Sequence, residues 1–321
     1  MSEVSTDLAK SSREGLVIAC HGRRVVVRDA AGLHHGCSLF GRRLSAVCGD
    51  SVQWQPAAAA GADGLVTAIG PRRTRLERID ARGEAEVVAA NLTRLVAVLA
   101  PLPAPDFHTC DAYLAGAVWA GIGATIVLNK CELAEAADPA LRAELARYRD
   151  LGYPVFETTR ARPDSDTALA QTLSGETAVL VGQSGVGKSS LTNRLIPARP
   201  ALEGEISRHA GAGRHTTTAS TLYPLPGGGA LIDSPGVRGF APPLPEPRWV
   251  ASGFVEIERH ARACRFPDCL HDGTAGCAVE VAAGDGRIHA RRYDSYLRLL
   301  RLAQRFDTDR RQGGRRRPVR K

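Results

Sequence analysis

The chain has 321 residues, a formal net charge of +8, a pI near 9.3 and 44% hydrophobic residues. That length and apolar content suit two or three domains with one sizeable core, and no apolar run approaches the length needed to cross a bilayer. The positive balance favours a polyanionic partner such as RNA, and the opening MSEVSTDLAKSS, with no apolar leader, points to a cytoplasmic chain whose eight cysteines stay reduced.

Leu16 to Leu76 reads as short strands broken by Gly, Asp-Ala-Ala-Gly and Gly-Asp turns. Val25, Val26 and Val27 share one strand, Ser51 to Gln55 follows the Gly49-Asp50 turn, and Leu65 to Ile69 forms another; Ala57 to Gly61 reads as a loop. Several short strands in so few residues predict a small β-barrel of the OB type. Arg23, Arg24, Arg42, Arg43, Arg72, Arg73 and Arg75 give it a basic surface suited to nucleic acid, the alternative being a solvated β-domain that only packs on its neighbour.

Leu95 to Leu99 and Ala124 to Leu128 are apolar strands, and Cys110 to Gly121 between them has Leu114, Val118 and Trp119 at helical spacing. The second strand runs into Asn129-Lys130-Cys131-Glu132, at the strand end where open α/β sheets bind ligands. The asparagine can hydrogen-bond guanine, the lysine stem can cover the base, and the acid can accept from the ring N–H and exocyclic amine. Glu132 carries that carboxylate one methylene farther out than aspartate would. A helical stretch from Pro139 to Leu151 and the segment Val155 to Thr159 follow, with Thr158 placed for a second base-contacting loop.

Thr177 to Val181 is an apolar strand that opens onto Gly182-Gln183-Ser184-Gly185-Val186-Gly187-Lys188-Ser189, a full phosphate-loop motif, with a helix from Ser190 to Ile196 behind it. Glycines let successive N–H groups point at phosphate oxygens. Lys188 reaches the β- and γ-phosphates and is a candidate catalytic residue, Ser189 can ligate Mg²⁺, and Ser190 continues the nucleotide-binding run. The stretch Gly213 to Thr218 reads as a nucleotide switch set among Gly204, Gly211 and Gly213, with Thr217 the expected Mg²⁺ ligand and Thr216 and Thr218 left open. Ala230 to Asp233 is a strand ending in Asp-Ser-Pro-Gly, where Asp233 can hold the Mg²⁺ shell and Gly236 can meet the γ-phosphate. Val237 stands where a Ras-like enzyme has its water-orienting glutamine, so slow intrinsic hydrolysis is expected; His215 is the nearest catalytic candidate in cis and Arg214 a charge stabiliser.

Beyond the proline-rich Ala241 to Pro247, Cys264, Cys269, His271 and Cys277 follow the spacing C-x₄-C-x-H-x₅-C. Three thiolates and an imidazole complete a closed tetrahedral shell for one structural Zn²⁺. Arg287 to Arg305 reads as a helix, and the chain ends in an arginine-rich, disordered tail suited to phosphate backbones.

The base reader precedes the phosphate loop, the reverse of an ordinary GTPase, so the domain is circularly permuted. The predicted fold is a multidomain α/β chain: an OB-like β-barrel over 1–72, a circularly permuted P-loop GTPase domain over 73–240, and a mostly helical zinc-binding domain with a basic tail over 241–321. GQSGVGKSS, GRHTTT, DSPG and the Cys–Cys–His–Cys spacing together resemble the ribosome small subunit-dependent GTPase A family (RsgA, also called YjeQ) over nearly the whole chain. The resemblance implies a late-acting assembly factor, expected as a monomer, that binds the small ribosomal subunit and its rRNA and hydrolyses GTP with the subunit's stimulation. Two other readings are a nucleotide-gated RNA-binding module with incidental hydrolysis and a metabolic P-loop kinase, the latter disfavoured by the NKCE and threonine segments.

Overall fold

The structure, a computed structural model, describes residues 12–57, 63–79, 85–210, 220–234 and 241–314. Five strands open the fold: β1 (Arg13–His21), β2 (Arg24–Arg28), β3 (His34–Leu39), β4 (Ser51–Gln55) and β5 (Gly64–Ile69). They pair in the order β1-β2-β3-β5-β4, and β4 closes back on β1. Only the β3–β5 pairing is parallel. Alternating side chains fill the interior, with Val17, Val25, Val27, Val52, Trp54 and Val66 at its centre. Asp50, fully buried, is held by both arms of Arg72 at 2.7 and 2.8 Å, so that arginine pins the end of the barrel. Arg42, Arg43 and Arg73 are exposed.

A separate hairpin, β6 (Arg75–Ile79) with β7 (Ala85–Ala90), leads into the central sheet. There β8 (Arg94–Leu99) lies between β9 (Gly123–Leu128) and β11 (Thr177–Val181), with β10 (Val155–Glu157) at one edge and β13 (Ala230–Asp233) beyond β11, all parallel. β12 (Ser220–Pro224) pairs antiparallel with β13. The parallel strands read as continuous apolar runs because both faces are covered. Leu95, Ala97 and Leu99 face the core built with α1 (Phe107–Trp119) and α2 (Pro139–Asp150). Val96 and Val98 face the core formed with α3 (Thr167–Thr172) and α4 (Lys188–Leu195). The helix after the phosphate loop thus begins at Lys188, two residues earlier than the sequence reading, and ends before Ile196.

Two features depart from the sequence reading here. First, β1 pairs with β12 through Ala19–Thr221 and Cys20–Ser220, so barrel and central sheet form one eleven-stranded system. Second, Gly204 lies inside a helix, α5 (Arg199–Ala210), which rests on β1, β2 and β3 and sinks Ile206 into the shared core. The rest of the switch stretch, 211–219, and the Ala57–Gly61 loop beyond Ala57 lie outside the described residues.

The C-terminal region has a 3-10 turn at Pro247–Gly253, then α6 (Val255–Ala261), α7 (Ala278–Gly284) and the long α8 (Ala290–Gly314), which runs past the predicted helix end into the arginine-rich tail. It packs on α1, whose Ala115 enters the C-terminal core while Val118 stays exposed. Among the described residues no helix is long and apolar enough to cross a membrane.

Candidate nucleotide site and metal centre

The phosphate loop leaves the end of β11 with Gly182, Gly185 and Gly187 at φ of +146°, +84° and +93°. A side chain at Gly182 would strike the Val98 carbonyl on β8, with its Cβ 2.2 Å from that oxygen. Lys188 folds its ammonium back onto the carbonyls of Gly182 and Gln183, at 2.6 and 2.7 Å. That places a cation inside the loop's curl, where phosphate oxygens would sit. Ser184, Ser189 and Ser190 are exposed on the rim.

The NKCE segment, the expected base reader, follows β9 and meets this loop directly. The Asn129 amide donates to the Val186 carbonyl at 2.9 Å, and its oxygen accepts from the Thr158 hydroxyl at 3.0 Å and Arg194 at 3.2 Å. Arg194, on α4, is itself clamped by Asp166 at 2.6 and 3.1 Å. Lys130, at φ +61°, stretches across to the carbonyls of Gly185 and Leu102, at 2.5 and 3.0 Å. Cys131 sends its thiol to the Leu128 carbonyl at 3.2 Å, and burial pushes that thiol's pKa up. Glu132 accepts from the Thr159 hydroxyl at 2.6 Å, with Arg160 at 3.4 Å. The Thr159 bond holds the Glu132 carboxyl below its ordinary value, with Arg160 adding to it.

Thr158 is fully buried and acts on Asn129, while Thr159 acts on Glu132, so adjacent threonines hold the two ends of the base reader. Sequence reasoning passed over Thr159, Asp166 and Arg194; the run of hydroxyls after β10 was the signal available for the first. Asp233 ends β13 and pairs with Arg199 at 2.6 Å. Exposed Ser189 and half-buried Asp233 bring only oxygen donors to this end of the sheet, the set a hard cation such as Mg²⁺ takes. His215, Thr216, Thr217, Thr218 and Gly236 lie outside the described residues, as do Arg214 and Val237.

In the C-terminal region the donor atoms of Cys264, Cys269, His271 and Cys277 all lie within 4.8 Å of one another. His271 Nδ1 is 3.5 Å from Cys264 Sγ and 3.4 Å from Cys277 Sγ, and those sulfurs are 4.0 Å apart. Tetrahedral bonding with Zn–S near 2.3 Å and Zn–N near 2.0 Å sets S···N at about 3.5 Å and S···S at about 3.8 Å. The cluster therefore fits a metal ion of that size. Tyr293 and Tyr296 on α8 donate to the carbonyls of His271 and Leu270, each at 2.7 Å, tying the ligand loop to the long helix.

A phosphate loop and an NKCE segment joined at the ends of parallel strands, with NKCE first in the chain, define a circularly permuted GTPase that carries an N-terminal barrel and a C-terminal Cys₃His cluster. A family model described as RsgA GTPase matches residues 69–242. A small ribosomal subunit biogenesis GTPase RsgA from Pseudomonas fluorescens (strain SBW25) is 43% identical over 291 residues, covering 89% of this chain and 84% of that one. The protein of the same name from Azotobacter vinelandii is 42% identical over 293 residues, 90% of this chain and 85% of its own. The crystal structure of YjeQ from Thermotoga maritima superposes with a TM-score of 0.73 at 26% identity, covering 91% of this chain and 99% of that chain. YloQ, a circularly permuted GTPase, shares the fold with a TM-score of 0.70 at 24% identity, over 97% of this chain and 98% of that one. The chain belongs to the RsgA GTPase family.

Proposed function

We propose that this chain binds the small ribosomal subunit through its rRNA, acts late in that subunit's maturation, and hydrolyses GTP to GDP and phosphate when the subunit stimulates it. The observation that carries the nucleotide assignment is the Asn129–Val186 hydrogen bond, which brings base reader and phosphate loop to one site. In this reading Asn129, Lys130 and Glu132 take the guanine, with Cys131 supplying backbone and Thr158 orienting Asn129. Residues 182–190 cradle the phosphates, Lys188 neutralises charge that builds on the γ-phosphate, and Gly236 offers it an N–H. Ser189, Thr217 and Asp233 would hold Mg²⁺, which would supply positive charge to offset that of the phosphates.

Val237 cannot orient a water molecule, so the subunit supplies or positions the missing group, with His215 the candidate within the chain. The domains divide at 1–72, 73–240 and 241–321. One Zn²⁺ on Cys264, Cys269, His271 and Cys277 holds the last of them folded. The exposed arginines of the barrel and the arginine-rich end of the chain meet rRNA phosphates, and the protein works as a cytoplasmic monomer.

The test is GTP hydrolysis by the purified protein with and without purified small subunits at low salt. A large subunit-dependent rise, lost in Lys188→Ala and Ser189→Ala, is the expected result. A flat rate with intact nucleotide binding would instead favour a nucleotide-gated binding module.

A further inference from the structure

We propose that Arg199 is a positioning residue of the nucleotide site, an internal counter-ion that occupies the Asp233 carboxylate until a divalent cation displaces it. The inference rests on the reading of Asp233 as part of the Mg²⁺ shell. Arg199 opens α5, outside both the phosphate loop and the base reader, yet its guanidinium lies 2.6 Å from Asp233. Three further contacts aim it there. Glu203, one turn along α5, accepts from its Nε at 2.8 Å, Asn193 on α4 accepts at 3.3 Å, and the Tyr223 ring on β12 lies beneath it at 5.1 Å. Tyr223 in turn donates to Glu203 at 2.9 Å, which fixes the acid that fixes the arginine.

A guanidinium braced from α4, α5 and β12 is a preorganised cation, and the carboxylate it holds is the one a metal would need. Like charges close together compete for one anion: a doubly charged ion arriving at Asp233 must overcome the repulsion of Arg199. Once it does, Arg199 loses its shortest hydrogen bond, 2.6 Å to Asp233 against 2.8 Å to Glu203. Arg199 is also the first residue of the helix that rests on the barrel and leads directly into 211–219, the stretch containing the threonines. Cation binding at Asp233 therefore loosens the start of a helix that ends at Ala210, just before the threonine stretch in sequence, and whose flank touches the barrel. This gives the barrel a way to sense the nucleotide state that does not pass through the C-terminal region.

The measurement is equilibrium binding of fluorescent GDP and of a non-hydrolysable GTP analogue across a Mg²⁺ titration, for wild type, Arg199→Ala and Arg199→Gln. The glutamine variant keeps much of the packing over Tyr223, so loss of fold in the alanine variant would leave the test intact. Removing the competing charge is expected to lower the Mg²⁺ concentration for half-maximal effect by about tenfold. The same change in an Asp233→Asn background is expected to do nothing. An unchanged midpoint in Arg199→Gln, or an equal shift in the Asp233→Asn background, overturns the proposal. Failure of the wild type to bind either nucleotide would instead overturn the guanine-nucleotide reading itself, so the two failures are distinct. Hydrogen exchange supplies a second readout: amides of 199–210 are expected to exchange faster with Mg²⁺ and the GTP analogue than with Mg²⁺-free GDP.

Discussion

Asn129 and Val186 are 57 residues apart in sequence, and the amide of the first donates to the carbonyl of the second at 2.9 Å. The permutation reverses their order in the chain without separating them in space, because β8 separates β9 from β11 and all three strands point the same way. Ligands in such sheets bind beyond the carboxyl ends of the strands, so any connectivity that preserves strand order preserves the site. The NKCE segment and the phosphate loop are consequently one mechanical unit here.

Gly187→Ala tests that unity. The glycine sits at φ +93°, and a Cβ there would lie 2.4 Å from Asn129 Nδ2. The substitution strains the loop by about 1–2 kcal/mol and displaces a hydrogen bond of about 1–1.5 kcal/mol. Together these predict roughly a 100-fold loss of GDP affinity, read by fluorescent-nucleotide titration with folding checked by circular dichroism. Binding within threefold of wild type would show that the two motifs act separately.

Glu132 is expected to set the acid limit of nucleotide binding. The Thr159 hydroxyl, with Arg160 beyond it, lowers the Glu132 pKa below its ordinary value. A depressed carboxylate stays ionised to lower pH; its stabilising contribution is full above the unfolded value and is lost as pH falls through the folded one. GDP affinity is therefore expected to stay flat from pH 7.5 down to about pH 5, as far as Glu132 decides it. Thr159→Ala should move the acid-side loss upward in pH, whereas Glu132→Gln should lower affinity at all pH values. Identical acid limbs for wild type and Thr159→Ala would refute the assignment.

Much of this site was legible because its chemistry is local in sequence. The phosphate loop, the NKCE segment after an apolar strand and the Cys–Cys–His–Cys spacing each declare themselves within a dozen or so residues. What escaped was long-range. Edge pairing of β1 with β12 joins residues some two hundred positions apart and leaves no periodic trace in either strand. Arg199 with Asp233, Arg194 with Asn129 and Thr159 with Glu132 are likewise products of tertiary packing. The glycine-based reading of Gly204 as part of a loop failed because one glycine costs a helix only about 1 kcal/mol, and burial of Ile206 outweighs that. Val118 shares the helical spacing of Leu114, yet Leu114 is buried against the sheet while Val118 stays exposed.

The Cys₃His cluster predicts one Zn²⁺ per chain by elemental analysis of protein purified without added metal. Cys277→Ser should drop that value to well below one. Because the metal's binding energy is folding energy in such small units, the variant should also speed hydrogen exchange across α6 and α7. Val186 of the phosphate loop packs in the core beneath the sheet and Cys277 in the separate C-terminal core, so nucleotide affinity should change less than threefold. A full metal complement in Cys277→Ser would remove that cysteine from the ligand set.

Asp111 joins the C-terminal region to the GTPase helices. It is fully buried on α1 and accepts from Arg291 at 2.5 Å, Arg292 at 2.7 Å and Tyr148 at 2.6 Å. Arg292, also buried, is completed by Glu256 on α6 at 2.6 and 3.0 Å, and Arg291 by Glu144 on α2 at 2.9 Å. Two arginines of α8 thus bridge two GTPase helices and one helix of their own region. Burying such charges is costly, and the arrangement holds only while every partner is present. Asp111→Ala leaves Arg292 with half its counter-charge in an apolar setting, which predicts a loss of about 3–5 kcal/mol, seen as a fall in the urea midpoint. The Asp106 amide, at the start of α1, donates to Gln183 of the phosphate loop at 3.3 Å, so α1 links the nucleotide site to this joint. If the joint is rigid, hydrogen exchange in α8 should rise sharply in Asp111→Ala but change little in wild type on adding GTP. A large GTP response in wild-type α8 would instead establish the C-terminal region as the moving part.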